Sequence, residues 1–194
     1  MVAAGDLRRV SQSLPIVILA RHGETDDNLE PLRFQGRTDT PLNARGLRQS
    51  EQLADTVAGL AFEEIWTSDL QRAIQTAKPI ADRIGVEPTV DPRLSEGNRG
   101  RWEGLVMNDV AEQEPELFEE WRSAGGSFRF PDGESLLEHQ QRVTEALDQI
   151  TASGRSTLVI CHGGSIRTAL CQQANEGLDG FHRWHVPNCG LVRL

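Results

Sequence analysis

Residues 16–25 read Ile-Val-Ile-Leu-Ala-Arg-His-Gly-Glu-Thr, an apolar run of strand length that changes abruptly to polar residues and a glycine. Such a run predicts a strand buried on both faces of a parallel sheet. Arg21 and His22 then lie at the carboxyl end of the strand, which is where open α/β sheets bind ligands. Residues 158–164, Leu-Val-Ile-Cys-His-Gly-Gly, repeat this arrangement near the other terminus. Two strand ends that carry His-Gly therefore define the candidate site.

Strand and helix patterns alternate along the rest of the chain. Strands are predicted at residues 15–21, 64–67, 86–90, 157–161 and 191–192. Apolar residues at three- and four-residue steps predict helices that begin near residues 41–43, 68, 135 and 165. This alternation is typical of an α/β fold, and we expect a three-layer α/β/α sandwich around a mainly parallel sheet.

Two serines mark predicted helix starts. Ser68 with Gln71, and Ser135 with Glu138, have the three-residue spacing of a capping box. In that motif each of the two side chains accepts a hydrogen bond from the backbone N–H of the other residue. We therefore expect both serines to be the N-cap residues of helices.

Residues 105–131 interrupt the alternation and predict a small helical insertion. Its apolar face comprises Leu117, Phe118 and Trp121, and we expect it to cover the ligand-binding edge of the sheet. Residues 1–13 are polar and mixed, which predicts irregular structure. The sequence shows no internal repeat, low-complexity tract or domain linker, so we expect all 194 residues to form a single domain.

The chain is acidic, with a net charge of −9 and a pI near 5.0. An acidic protein is a poor partner for nucleic acid or an anionic membrane, so we expect neither as a partner. Its 38% apolar and 25% charged residues are typical of a soluble globular protein. No apolar run approaches the ~18 residues of a membrane span.

The cysteines favour a reducing environment. Cys161, Cys171 and Cys189 form no even set and no Cys-x-x-Cys pair, so we expect free thiols and a cytoplasmic protein. The Arg-Arg pair at 8–9 and the apolar residues 14–20 imitate a secretion signal. Cleavage after them would remove the first core strand, so we expect no cleaved leader.

The residue types at the strand ends suit the binding of a phosphoryl group. Arg21 and Arg72 offer guanidinium forks for its spread negative charge. Gly23, Gly163 and Gly164 let backbone N–H groups approach it closely. Because arginines and imidazoles can neutralise the charge, we expect no metal and no other cofactor.

The same edge of the sheet offers groups for catalysis. A neutral imidazole can attack phosphorus, and a second one can bind or stabilise the transferring group, which suggests roles for His22 and His162. A leaving alkoxide needs a proton, which a carboxyl group with a raised pKa can give. Glu96 is the natural donor, and Glu24 and Glu103 are the alternatives.

The first strand end also matches a known signature. Residues 21–28, Arg-His-Gly-Glu-Thr-Asp-Asp-Asn, resemble the R-H-G-[ET]-x-x-x-N motif of the histidine phosphatase (phosphoglycerate mutase-like) superfamily. Further motifs similar to that family follow in order: Phe34-Gln35-Gly36, Leu42-Asn43-x-x-Gly46, Ser68-Asp69-Leu70-x-Arg72-Ala73-x-x-Thr76-Ala77, Leu94-x-Glu96, Gly100-x-Trp102-Glu103-Gly104, Pro131-x-Gly133-Glu134-Ser135 and His162-Gly163-Gly164. The resemblance extends from about residue 15 to residue 190, nearly the whole chain.

The resemblance implies roles for the matching residues. His22 would be the nucleophile that forms a phosphohistidine, and Glu96 the proton donor that later activates water. Asn188 would assist from the tail of the chain. The phosphate pocket would be formed by Arg21, Arg72 and His162, together with Asn28 and the backbone at Gln35 and Gly36.

These roles imply a metal-independent phosphomonoesterase that acts through a phosphohistidine intermediate on a small phosphorylated metabolite. Sugar phosphates, phosphoglycerate derivatives, phosphoserine and ribazole phosphate are all compatible substrates. Cofactor-dependent mutases of the family are usually longer, so this chain is more similar to the phosphatase branch. Mutase-type phosphoryl transfer and a non-catalytic phosphate-binding module are the alternatives. The sequence permits a homodimer but does not determine the oligomeric state.

Two other interpretations compete for the same region. Cys161 and Arg167 match the C-x5-R pattern of cysteine phosphatases, but the periodicity of the strand turns Cys161 toward the core. His182, His185 and Cys189 are residue types that bind zinc, without a fourth ligand at a convincing spacing. We therefore favour a histidine nucleophile and expect no metal site.

The remaining charged residues near these motifs are expected on the surface. His139 is expected on the exposed face of a helix. Arg37, Arg93, Arg99 and Arg101 are expected to be solvated or rim charges, because arginine is rarely buried. A contact of one of these arginines with the substrate is the alternative.

Overall fold

The structure, a computed structural model, describes residues 15–123, 125–175 and 177–194, so the expectations for residues 1–13 lie outside the described part. Its strands are β1 (Val17–Arg21), β2 (Glu64–Thr67), β3 (Pro88–Val90), β4 (Thr157–Cys161) and β5 (Leu191–Arg193). Its helices are α1 (Ala44–Val57), α2 (Gln71–Ile84), α3 (Met107–Gln113), α4 (Pro115–Ser123), α5 (Leu136–Ala152) and α6 (Gly163–Gln173). None of these helices, all within the described ranges, has the length and apolar character that crossing a bilayer requires.

The five strands form one sheet in the order β3-β2-β4-β1-β5. The first four strands in the chain pair in parallel, and β5 pairs antiparallel with β1. Because parallel strands bring their carboxyl ends to the same edge, the ends of the neighbouring strands β1 and β4 meet there. The prediction of an α/β fold with a mainly parallel sheet is confirmed, with β3 shorter than the run predicted at 86–90.

Alternate side chains of β1 and β4 pack against different pairs of helices. Leu19 and Val159 belong to a buried cluster that includes side chains of α5 and α6. Ile18 and Leu158 belong to a cluster on the opposite face, with side chains of α1 and α2. Because side chains alternate between faces along a strand, burial on both faces requires the uninterrupted apolar runs seen in the sequence. The predicted three-layer α/β/α sandwich is confirmed.

Helix α6 begins at Gly163, earlier than the predicted start near residue 165, and His162 is its N-cap residue. β4 therefore leads almost directly into a helix whose N-terminus lies at the carboxyl edge of the sheet. The first backbone N–H groups of a helix have no partner inside the helix. Gly163 and Gly164 thus bring N–H groups with no partner inside the helix to the edge where β1 ends.

The two predicted capping boxes differ. The one at Ser135 is confirmed, because Ser135 Oγ accepts a hydrogen bond from the Glu138 N–H at 3.1 Å and Glu138 Oε2 accepts one from the Ser135 N–H at 2.9 Å. The one at Ser68 is wrong, because Leu70 is the N-cap residue of α2 and its side chain makes no capping hydrogen bond. Ser68 Oγ lies instead 2.8 Å from Nε2 of His162. Ser68 Oγ also accepts a hydrogen bond from the Leu70 N–H at 3.2 Å, so this serine combines a local and a tertiary hydrogen bond.

The predicted insertion is confirmed as α3, α4 and a 3-10 turn at 125–127. It packs on an aromatic cluster that is distinct from the two clusters flanking the sheet. Trp102 and Phe130 are completely buried in this cluster, and Phe118 and Trp121 of α4 pack against it. Aromatic packing therefore holds the insertion beside the carboxyl edge of the sheet.

Two glycines allow a close backbone approach between the end of β1 and the start of α1. A Cβ atom at Gly46 would lie 2.1 Å from the carbonyl oxygen of Glu24, and one at Gly23 would lie 2.6 Å from the carbonyl oxygen of Gly46. Both distances are far inside van der Waals contact. The segment that follows His22 is therefore held against α1 by a contact that only glycine permits.

We expect Gly46→Ala to lower the free energy of unfolding by about 1–3 kcal/mol, because the added methyl group overlaps a backbone oxygen. Gly59→Ala is the matched control, since a Cβ there has no heavy atom within 4 Å; its stability should stay equal or rise by about 0.4–1 kcal/mol. Urea unfolding followed by circular dichroism measures both variants. Equal losses in the two variants would contradict the close approach.

Candidate active site

A cavity of about 600 Å³ lies at the carboxyl ends of β1 and β4. Its wall includes most of the residues predicted for the site: Arg21, His22, Asn28, Gln35, Gly36, Glu96 and Gly163. Arg72 and His162 do not line it; both are completely buried beside His22. The structure thus brings all the predicted residues together, with two of them beneath the wall.

His22 is 2% exposed, and a hydrogen bond of its ring fixes the tautomer. Nδ1 lies 2.7 Å from the carbonyl oxygen of Gly23, which can only accept, so Nδ1 carries the proton. Burial and the positive charges of Arg72 and Arg21 lower the pKa of His22 well below its ordinary value, so the ring is neutral. The lone pair of the ring therefore resides on Nε2, as a nucleophile requires.

His162 lies beside His22, with ring centroids 5.2 Å apart, and both of its nitrogens are engaged within the protein. Arg72 Nε donates to Nδ1 at 3.2 Å, so Nε2 carries the proton and donates to Ser68 Oγ at 2.8 Å. Burial, followed by the charge of Arg72, lowers the pKa of His162 well below its ordinary value. His162 is thus a second neutral imidazole, held in one orientation.

Arg72 places a positive charge under the cavity. Its Nη1 and Nη2 donate to the carbonyl oxygens of Thr38 at 2.8 Å and Gly36 at 2.7 Å. Burial lowers its pKa to about 10, which leaves it charged at neutral pH. With the bond to His162, three of its five N–H groups are used and two remain.

Glu96 lines the cavity and is held by three donors. Oε1 accepts from the Gly97 N–H at 2.8 Å and from Arg99 Nη2 at 3.3 Å, and Oε2 accepts from the Gly164 N–H at 2.9 Å. Burial alone would raise the pKa of this carboxyl group, but the charge of Arg99, the neighbouring His139 and His162, and the Gly97 N–H outweigh it. They hold the pKa of Glu96 well below its ordinary value. The expectation of a raised pKa is therefore wrong for the protein by itself.

Asn28 and Gln35 present amide groups in fixed orientations. Asn28 Oδ1 accepts from the Thr25 N–H and from Asn188 Nδ2, both at 3.1 Å, which leaves the Asn28 NH2 group available to the cavity. Gln35 Nε2 donates to Thr25 Oγ1 at 2.9 Å and to Asp27 Oδ2 at 3.3 Å. Asn188 also lines the cavity, so its expected place beside the site agrees with the structure.

Arg21 and the N-terminus of α6 meet on one side of the cavity. Arg21 Nη1 donates to the Val186 carbonyl oxygen at 2.7 Å, whereas Nε is buried with no partner in the described ranges. A Cβ at Gly163 would lie 3.5 Å from that Nε, so the unpaired donor adjoins the helix N-terminus. Both groups attract anions. Together these two groups are suited to an anion next to His22.

The similarity to known proteins extends over almost the entire chain. Residues 17–194 match the histidine phosphatase superfamily (branch 1). The chain belongs to this superfamily. The resemblance carried by residues 21–28 and the motifs that follow is thereby confirmed.

Relatives of this histidine phosphatase superfamily member include a mutase by name and several phosphatases. The probable phosphoglycerate mutase GpmB of Yersinia enterocolitica is 36% identical over 186 residues, covering 92% of this chain and 83% of the relative. The structure of a mycobacterial glucosyl-3-phosphoglycerate phosphatase in complex with VO3 has a TM-score of 0.85 and 27% identity, covering 93% of this chain and 92% of that one. A phosphoserine phosphatase mutant from Entamoeba histolytica, in complex with phosphoserine, has a TM-score of 0.80 and 25% identity, covering 93% and 90%. These similarities support an enzyme of the phosphatase or mutase type.

The alternative nucleophile of this superfamily member, Cys161, lies in the core. Its side chain belongs to the buried cluster between the sheet and helices α5 and α6, and burial raises its pKa to about 12. A thiol with such a pKa is not ionised at neutral pH and is a poor nucleophile. The alternative zinc site also lacks support, because the described residues contain no group of three or more His, Cys, Asp or Glu side chains able to hold a metal ion.

His139 is completely buried, so its predicted place on a helix surface is wrong. Its Nε2 lies 3.0 Å from Ser165 Oγ and 3.8 Å from Glu96 Oε1, directly behind the candidate proton donor. Leu136 and Val143 are buried on the same face of α5. Their spacing of three and four residues from His139 was the signal that could have located it in the interior.

Arg99 is 8% exposed and forms a salt bridge with Glu96 at 3.3 Å, so the expectation of a solvated charge is wrong for this residue. Arg37 and Arg101 are exposed as expected. Arg93 is half-buried in a salt bridge with Asp91. The loop after Glu96 therefore folds back and brings one guanidinium group into the cavity wall.

Burial lowers the pKa of His139 to about 3, from an ordinary value of 6.5, with Glu96 and Glu134 opposing the shift and Arg142 and Arg99 adding to it. Between these two values the unfolded chain binds a proton that the folded chain does not bind. The free energy of unfolding must therefore decrease as the pH falls below 6.5.

We expect this one histidine to contribute a loss of about 1.4 kcal/mol per pH unit as the pH falls from about 6 to about 4. His139→Leu removes the group, so the stability of the variant should decrease with acid less steeply than that of the wild type, by about that amount. Urea unfolding at a series of pH values measures the two slopes. Identical slopes would show that His139 is not held neutral by the fold.

Proposed function

We propose that this chain hydrolyses a small phosphorylated metabolite through a phosphohistidine formed on His22, without a metal ion. The observation that carries the proposal is the tautomer of His22. Its Nδ1–H is bound to the Gly23 carbonyl oxygen, so the lone pair lies on Nε2 of a ring that lines the cavity. A neutral imidazole beside an anion site is suited to attack a bound phosphoryl group.

The proposed phosphate site is built from hydrogen-bond donors. Arg21, the NH2 group of Asn28, the Gly163 N–H and the backbone at Gln35 and Gly36 surround the place that the phosphate would occupy. Arg72, with two unused N–H groups, and His162 would stabilise the transferring phosphoryl group from beneath His22. Positioned donors and fixed positive charge are what phosphoryl transfer requires of a protein.

The proposed reaction has two steps. In the first, Nε2 of His22 forms a bond to phosphorus while the bond from phosphorus to the leaving oxygen breaks, and Glu96 gives that oxygen a proton. In the second, water attacks the phosphohistidine and Glu96 accepts its proton. Inorganic phosphate leaves, and the lone pair returns to Nε2.

Glu96 must be protonated before the first step, although Arg99 holds its pKa low in the protein by itself. A bound substrate phosphate adds negative charge beside the carboxyl group, and this charge raises the pKa of Glu96. Binding of the substrate would thereby favour the protonated form of Glu96, which the first step requires.

Mutase-type phosphoryl transfer is the second candidate, because the Yersinia enterocolitica relative is named a probable phosphoglycerate mutase. The two functions differ in the group that accepts the phosphoryl from His22, which is water in one and a sugar or glycerate hydroxyl in the other. Incubation with 3-phosphoglycerate separates them. A phosphatase releases inorganic phosphate, whereas a mutase forms the isomeric phosphoglycerate.

We expect His22→Ala to lower the turnover of an aryl phosphate in EDTA by on the order of a thousandfold or more, because the covalent intermediate forms on this ring. Quenched wild-type samples should contain protein-bound phosphate that is labile in acid and stable in base, and His22→Ala should contain none. Cys161→Ser is the control and should retain the adduct. Activity that requires a metal, or an adduct that disappears in Cys161→Ser, would contradict the proposal.

Glu96→Gln should reduce kcat/KM for an alkyl phosphate by about 10²–10⁴-fold, the usual contribution of a general acid. The loss on an aryl phosphate with a good leaving group should be much smaller, because that oxygen can depart without a proton. Comparison of kcat/KM for the two substrates isolates the first step. Equal losses on both would remove Glu96 from the acid role.

A further inference from the structure

His139 of α5 does not line the cavity, but its completely buried ring contacts the residues that support Glu96. Nε2 of His139 lies 3.0 Å from Ser165 Oγ and 3.8 Å from Glu96 Oε1. At the other ring nitrogen, a Cβ on Gly97 would lie 2.9 Å from Nδ1, so the ring packs directly on the backbone of that residue. One imidazole thus adjoins both the loop that carries the proposed proton donor and the helix that follows β4.

The hydrogen bonds of Ser165 indicate the tautomer of His139. Ser165 Oγ lies 3.1 Å from the carbonyl oxygen of Ser95 and 3.4 Å from that of Leu94. Carbonyl oxygens only accept, so the hydroxyl proton of Ser165 is directed to them and its oxygen accepts from Nε2 of His139. Nδ1 is buried without a hydrogen-bond partner in the described ranges, which is less unfavourable for a lone pair than for an N–H group. Both observations place the proton of His139 on Nε2.

The Nε2–H group of His139 therefore lies on the side of the ring that faces the Glu96 carboxylate. The separation of 3.8 Å between Nε2 and Oε1 is longer than a hydrogen bond, so the N–H acts on the carboxylate as a dipole. Both side chains are enclosed by protein, where such an interaction is weakly screened. The dipole favours the ionised form of Glu96 over the neutral form.

The serine also connects His139 to the two sides of the carboxyl group. Ser165 is bonded to the carbonyl oxygen of Ser95, the residue before Glu96. It directly follows Gly164, whose N–H donates to Glu96 Oε2 at 2.9 Å, and Gly97, beneath the ring, donates its N–H to Oε1 at 2.8 Å. A displaced ring would therefore loosen two of the three donors that hold Glu96.

His139 itself remains neutral. Burial is the main cause that lowers its pKa to about 3; the charges of Arg142 and Arg99 act in the same direction, and Glu96 and Glu134 oppose them. A protonated ring would also carry an N–H on Nδ1, which has no acceptor in the described part of the chain. His139 is thus a neutral donor at the pH values at which Glu96 would react.

We propose that His139 is a positioning residue for the proton donor: its Nε2–H, held by Ser165, stabilises the ionised carboxylate of Glu96 and keeps it in place. The inference rests on the proposed function and adds a residue that acts through Glu96 without contact with the substrate. Glu96 gives a proton in the first step and accepts one in the second. A neutral N–H stabilises the carboxylate less than a second guanidinium group would, so both forms of Glu96 stay accessible.

The tautomer is tested first, and without turnover. Nitrogen–proton correlation spectra of the protein labelled with nitrogen-15 histidine distinguish a protonated ring nitrogen from one that carries a lone pair. The signals of His139 are those missing from His139→Gln. We expect the proton on Nε2 and a ring that is still neutral at about pH 5. A proton on Nδ1 would overturn the proposal, because Nε2 would then present a lone pair to the carboxylate.

The pH dependence of kcat on an alkyl phosphate tests the effect on Glu96. At high pH this kcat falls as Glu96 loses its proton in the enzyme–substrate complex. His139→Leu removes a donor that favours the ionised form, so the midpoint of the fall should move upward by about half a pH unit to one unit. His139→Gln, whose NH2 group can occupy the place of Nε2, should return the midpoint most of the way to the wild-type value.

Val143→Ala is the matched control for lost packing, because Val143 is buried on the same face of α5 one turn further along. It should retain the wild-type midpoint. Circular dichroism at each pH verifies that the variants are folded. All these variants keep the other charged and titratable groups that interact with Glu96 from β1, α2, the 94–99 loop, the end of β4 and α6: Arg21, His22, Arg72, Arg99, His162 and Arg167.

Three kinetic results would also overturn the proposal. They are an unchanged midpoint in His139→Leu, equal shifts in His139→Leu and His139→Gln, and a shift of the same size in Val143→Ala. The phosphohistidine assay separates this inference from the proposed function. An absent adduct would contradict both, whereas an intact adduct on His22 with an unchanged midpoint would remove the role of His139 alone.

Discussion

The parallel pairing of β1 with β4 is the constraint on which the candidate site depends. Its register aligns Arg21 with Cys161, and the N–H of His22 continues the ladder to the Cys161 carbonyl oxygen at 3.0 Å. A shift of the register by one residue would move every side chain of β1 to the other helical layer. Two segments far apart in the chain thus bring the rings of His22 and His162 together before any loop contributes. The loops then add charge to a geometry that the sheet has already set.

Buried arginines act in opposite ways on the two kinds of titratable group around that geometry. Positive charge and burial both favour neutral imidazoles, so His22 and His162 remain unprotonated. For Glu96 the two effects oppose one another, and the charge of Arg99 prevails. In the proposed mechanism, His22 is therefore neutral and able to attack in the protein alone, whereas Glu96 would become protonated only when a negatively charged substrate binds.

The fold could be predicted from the sequence because its main elements are locally unambiguous, as in the continuous apolar run that became β1. The residues proposed as nucleophile and phosphate ligands could be assigned to one edge of the sheet because motif spacing and strand ends coincide at Arg21 and His22. The errors concern residues whose neighbours in space are distant in sequence. Ser68 has the same local spacing as a true capping box, but α2 begins later, at Gln71, and Ser68 Oγ lies 2.8 Å from Nε2 of His162. Arg99 lies in a charged loop of the sequence, where a solvated side chain is expected. In the fold its guanidinium group packs on Phe130, and no periodicity in the loop could have indicated that contact.

The aromatic cluster beneath α3 and α4 is distinct from the two clusters that hold the sheet. Phe34 of that cluster and Met107, packed against it, reach the cavity wall, whereas the sheet clusters fix the strand ends. Mutations in the insertion can therefore accumulate without disturbing the two histidines. Substitutions selected in the insertion can change which substrates fit the cavity, while the residues at the strand ends stay the same. Because the insertion and the sheet have separate cores, substrate preference can evolve by single substitutions that leave the arrangement of the two histidines intact.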